Sequence, residues 1–114
     1  MSYIVTPFEV SSKALGEPVS CRFVHLFAAI ATRHRDSIDC IFLVNGKRVT
    51  VAISCATLSE LRQREGLIFT DQQLAEIAAR HLKQTLESGY DASQAELFLG
   101  GQEFHNLADG SRTA

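Results

Sequence analysis

The chain has 114 residues, of which 46% are hydrophobic and 21% charged, with a formal charge of −2 at pH 7. That length suits one globular domain and leaves no room for a second, and the composition excludes a disordered chain. The slightly acidic balance argues against duplex nucleic acid, whose partners carry a basic excess. Leu26 to Ala31 is the longest apolar run, far short of the ~18 residues of a membrane span, and no basic segment with an apolar core opens the chain. A cytoplasmic domain over residues 1–107 with a flexible tail at 108–114 is expected.

Residues 3–10 read as a first strand, with Pro7 marking an edge or a bend because it cannot donate to a ladder. Residues 11–19 contain Gly16 and Pro18 and read as a loop. Over residues 20–33, Phe23, Leu26, Phe27 and Ile30 follow the 3.6-residue period, and Ser20 can cap the start. A helix is expected there, a buried strand being the competing reading.

Residues 37–44 and 48–54 then form a hairpin across Asn45-Gly46, a pair that favours the positive φ angles of a type I′ turn. In that register Val44 faces Lys47, Phe42 faces Val49 and Cys40 faces Val51. One face reads Cys40, Phe42, Val44, Val49, Val51, Ile53 and Cys55, and is the core. The other is mixed, with Ile41 and Leu43 its large apolar side chains.

Two helices follow. Thr57-Leu-Ser-Glu60 fits a capping box, and that helix stops at Gly66. Thr70-Asp-Gln-Gln73 is a second box, with Phe69 and Leu74 placed as a hydrophobic staple. Leu74, Ile77, Ala78, Leu82 and Leu86 make one apolar stripe, and Gly89 stands where a left-handed cap belongs. Residues 95–99 read as a last short strand, and beyond Leu107 the chain is polar and small. The expected class is α+β. The order is β-α-β-β-α-α-β, and the helices cover one face of a small antiparallel sheet.

Few residues point to chemistry. Cys21 and His25, at i and i+4 on the expected first helix, have the spacing of a metal pair, but two ligands do not make a site. Cys40 and Cys55 share a sheet face without sharing a rung, so the geometry of a disulfide is not met. The sequence has no phosphate-binding loop, nucleophile elbow or zinc-protease signature. No catalytic residue, metal or cofactor is assigned. Residues 22–83 carry nine Lys/Arg against six Asp/Glu, whereas residues 84–114 carry one against five. Within the basic stretch, Arg33, His34 and Arg35 follow the expected helix. Arg62 and Arg64, on the helix after the hairpin, are expected to return to the same end of the sheet. Together they define a candidate anion or phosphate site. Lys47 and Arg48, at the hairpin tip, lie roughly 25 Å away at ~3.4 Å per residue and belong to a separate region.

The stretch from Ile38-Asp-Cys through Ala52-Ile-Ser, Leu58-x-x-Leu61 and Ala79-Arg-His-Leu-Lys, then Tyr90-Asp91 to the final strand, residues 38–99, resembles a family of small bacterial α+β domains of unknown function. The resemblance implies a fold and no activity. The sequence of strand, helix, Asn45-Gly46-Lys47 hairpin and helices is also similar to the HPr phosphocarrier family. That family carries its phosphoryl group on a His before the first helix. The corresponding stretch here, Gly16-Glu-Pro-Val-Ser-Cys-Arg22, has no His, so no phosphocarrier residue is carried over. The expectation is a non-catalytic domain that acts through protein contacts, pairing with itself through Ile41 and Leu43. The alternative is a small anionic ligand bound by the arginines.

Overall fold

A computed structural model describes residues 7–12, 16–29, 36–87, 96–101, 104, 106 and 107. The fold is α+β: strands β1 (Phe8–Ser12), β2 (Glu17–Ala29), β3 (Ser37–Val44) and β4 (Lys47–Ser54), helices α1 (Cys55–Glu65) and α2 (Asp71–Glu87), then strand β5 (Glu96–Leu99). The five strands form one sheet in the order β1-β2-β3-β4-β5. The first four make an antiparallel meander. β5 returns after the helices to run parallel to β4. A parallel neighbour needs a crossover, and the α1–α2 segment provides it. The sheet is therefore mixed, where the sequence suggested a wholly antiparallel one.

The expected helix over residues 20–33 is corrected: residues 17–29 are a 13-residue strand, and the order begins β-β-β-β. The cause is a β-bulge. Phe23 pairs with Phe42 and His25 pairs with Ile41, so Val24 is an extra residue in β2. The bulge breaks the two-residue alternation. Phe23 and Leu26, three apart, both pack on the core side, and that spacing imitates a helical turn. Ser20, expected as a helix cap, instead belongs to the ladder. Its N–H donates to Asn45 Oδ1 at 2.8 Å, and its carbonyl accepts from Asn45 N–H at 2.8 Å. The phosphocarrier resemblance rests on a helix at this point, where β2 stands.

The β3–β4 hairpin has the register read from sequence, with Val44 on Lys47, Phe42 on Val49 and Cys40 on Val51. Asn45 (φ 51°) and Gly46 (φ 81°) both take the left-handed conformation that this tight turn requires. β1, with Pro7 just before it, lies at the sheet edge, where a missing N–H costs no ladder bond.

α1 starts three residues earlier than its sequence suggests. Its cap is Ser54, whose Oγ accepts from Thr57 N–H at 3.3 Å. The Thr57 hydroxyl is used elsewhere, accepting from Gly101 N–H at 2.9 Å. α1 ends at Gly66, which takes φ 67° and donates to the Arg62 carbonyl at 3.0 Å. The second capping box forms as read: Thr70 N–H donates to Gln73 Oε1 at 2.9 Å, and Gln73 N–H to Thr70 Oγ1 at 3.1 Å. Gly89, the expected cap of α2, lies outside the described residues.

The α2 stripe of Leu74, Ile77, Ala78, Leu82 and Leu86 joins the Cys40, Phe42, Val44, Val49, Val51 and Ile53 face in one core. Phe23 meets Phe42 edge-on at 5.4 Å between ring centres. Phe104 is fully buried in the same core, and its ring stands edge-to-face on Phe69 at 5.3 Å. Burial of each such side chain is worth about 1.5–3 kcal/mol, so the segment after β5 is part of the folding unit.

Candidate interaction face

Strand alternation sends a second set of side chains away from this core. The pairings align them in rungs. Phe27, Asp39, Ala52 and Phe98 form one, across β2, β3, β4 and β5. His25, Ile41 and Thr50 form the next, and Arg22, Leu43 and Arg48 the one beyond. His25 and Phe27, two residues apart, stack with ring centres 5.5 Å apart. The bulge adds Val24 beside them.

Burial on this face is graded. Val24 is 44% exposed, Phe27 38% and Phe98 44%, and Leu43 is half-buried. Ile41, expected alongside Leu43 as an exposed contact residue, is only 3% exposed. It sits on a central strand with His25 and Thr50 directly across. Phe27 is its diagonal neighbour, within reach for a long or aromatic side chain. Phe27 and Phe98 lie three strands apart, about 14 Å at ~4.8 Å per strand. Arg22 and Arg48, both exposed, mark one end of the face. Asp39, buried and accepting from Ser37 Oγ at 2.7 Å, marks the other.

Arg33, His34 and Arg35 lie outside the described residues. Arg62 and Arg64 are exposed on α1, and Arg64 Nη1 donates to Glu60 Oε1 at 2.7 Å. The Cys21–His25 pair is separated by the sheet itself. Cys21 is buried in the core and His25 stands on the opposite, exposed face. Among the described residues no group of three or more His, Cys, Asp or Glu could hold a metal ion. No described helix is long and apolar enough to cross a membrane.

All three cysteine thiols are held toward their neutral form. Burial pushes the Cys21 thiol up to about 11. Burial, with the Asp39 and Asp71 charges adding to it, pushes Cys40 up to about 12. Cys55 borders a surface cavity of ≈ 610 Å³ with Asp36, Ser54, Ala56 and Ser59. Its thiol is also raised, first by burial and then by the Asp36 and Asp39 charges. A raised thiol pKa leaves less of the thiolate, the nucleophilic form, at neutral pH.

The sequence reading missed Phe27 and Phe98 as surface residues. Phe98 was recoverable, since Leu97 and Leu99 flank it in a strand of period two. Phe27 was not, because its face depends on the bulge at Val24. No family model, curated protein or solved structure matches the chain.

Proposed function

We propose that this domain is a non-catalytic assembly module that pairs with a second copy of itself through the sheet face turned away from the core. The observation that carries the reading is the exposure of Phe27 and Phe98 at the two ends of a single rung whose middle, Asp39 and Ala52, is buried, with Val24 on the Phe27 side and half-buried Leu43 two rungs away. A face carrying two exposed phenylalanines is stabilised when a partner removes them from water. The face also suits a two-fold axis. The Arg22–Leu43–Arg48 rung and the Phe27–Asp39–Phe98 rung lie on either side of the Ile41 rung, each two residues from it along β3. A two-fold rotation through Ile41 brings the arginines of one copy over the Asp39 end of the other. Such an isologous contact closes on itself and stops at two copies. The reading requires both helices to keep to the opposite face.

Sedimentation velocity tests it. The parent is expected to run as a dimer, and the Phe27→Asp, Leu43→Asp double variant as a folded monomer with an unchanged circular dichroism spectrum. A monomeric parent, or a dimeric double variant, overturns the reading. Ile41→Asp is unsuitable for this purpose, because burying that carboxylate would unfold the chain.

A further inference from the structure

A second feature lies away from the sheet face, where α1 hands over to α2. Gly66 turns the chain, and Leu67 N–H donates to the Leu61 carbonyl at 3.4 Å. Leu67 and Phe69 then pack against the core as half-buried residues, while Ile68 between them is 75% exposed. The hand-over leaves a groove of ≈ 230 Å³. Leu74 and Phe69 line it, and the Phe69 ring is fixed by its edge-to-face contact with Phe104. Leu58 and Arg62, one helical turn apart on α1, line it from the other side. Ile68 borders it as well, an apolar side chain that a ligand would cover.

Size and charge together select the ligand. Pockets for whole small molecules run from about 300 to 1,000 Å³, and this groove falls below that range. It suits one large apolar side chain. Arg62, an exposed residue that lines the groove beside Leu58 and Phe69, supplies a cation that selects a carboxylate carried close to that side chain. Arg64, in the same turn of α1, is already engaged by Glu60. One residue supplies both groups when it ends a chain, since its α-carboxylate is two bonds from the base of its own side chain. The geometry points to a pocket for the C-terminal leucine or phenylalanine of a partner polypeptide. The side chain lies against Leu58, Phe69 and Leu74, and the terminal carboxylate pairs with Arg62. Capture of a terminal carboxylate is an established mode of peptide recognition, and the charge-assisted bond gives it selectivity over an internal residue.

The test is a titration of the ¹⁵N-labelled protein, followed by amide chemical shifts. The probes are the tetrapeptide Gly-Ser-Gly-Leu with a free C-terminus and the same peptide amidated. The acid is expected to shift the amides of Leu58, Leu67, Phe69 and Leu74. The amidated peptide should bind about tenfold or more weakly, the usual loss for a hydrogen bond to a charged group. Arg62→Gln should bring the acid down to the affinity of the amide and leave the amide unchanged. Equal binding of acid and amide by the parent, or no shifts at millimolar acid, overturns the proposal. Sodium octanoate binding as tightly as the free-acid peptide also overturns it, because the site would then be one for aliphatic acids. The groove includes no residue of the sheet face, so this proposal and the dimer reading fail separately.

Discussion

Cys40 shows how a single buried side chain shapes stability. Its thiol lies in the core that also holds the α2 stripe, and burial, with the Asp39 and Asp71 charges adding to it, pushes ionisation up to about 12. The folded chain therefore holds this proton more tightly than the unfolded chain does. The stabilisation it represents is intact below the ordinary thiol range and is lost as pH rises from about 9 toward about 12. Unfolding free energies from urea titrations at pH 8 and above should fall with a slope of at most about 1.4 kcal/mol per pH unit from this group. Cys40→Ala should lower stability at pH 7 by leaving a small cavity, and should also flatten that alkaline slope. An unchanged slope in Cys40→Ala would assign the alkaline loss to another group. Gly100 is a second residue with a defined constraint. A Cβ there would stand 3.1 Å from Ser54 Cβ and 3.1 Å from Thr57 Oγ1. These are the residues that cap α1 and bind Gly101, so they have little freedom to move aside. Gly100→Ala should cost about 1–3 kcal/mol, the usual penalty for overpacking, read as a lower midpoint in chemical denaturation.

The elements were legible in sequence in proportion to how locally they are determined. The Asn45-Gly46 hairpin needs two adjacent residues to fix its turn, and everything in its register follows. The α2 capping box and apolar stripe lie within one helix, and both form as read. Two features went unread because distant residues decide them. Ser54 and Thr57 can both cap a helix, and the choice is made by Gly101, which claims the Thr57 hydroxyl from 44 positions away. β2 depends on pairing with β3, and only that pairing reveals Val24 as an extra residue. For the same reason Leu43 was recognisable as part of the outer face while Phe27 was not. The bulge makes a prediction of its own. Deleting Val24 leaves Phe23 on Phe42 and His25 on Ile41 as consecutive rungs, with every later partner kept. That variant should fold, with a spectrum close to the parent. Deleting Thr50 from the unbulged β4 should not. It turns one half of the strand inside out, exchanging core and outer side chains, and should leave an unfolded or aggregated chain by circular dichroism and gel filtration.

At the scale of the whole molecule, the dimer reading links stability to concentration. If the outer face is buried between two copies, association stabilises the folded state by mass action. The melting temperature should then rise with protein concentration in the parent and be independent of it in the Phe27→Asp, Leu43→Asp variant. Differential scanning fluorimetry over a hundredfold concentration range separates the two. The parallel seam between β4 and β5 has a different consequence, which concerns time. The meander β1 to β4 is built from neighbours in sequence and can pair as soon as it is synthesised. β5 and Phe104 come later, after both helices. Until they arrive, the Thr50–Ile53 stretch of β4 offers an unpaired edge to any other strand nearby. On a message carrying several ribosomes, those edges are exposed side by side. The interval between the synthesis of β4 and that of β5 is therefore when nascent chains are most prone to pair wrongly with each other. Slow translation through α2 would lengthen that interval, and a chaperone bound there would shield the edge.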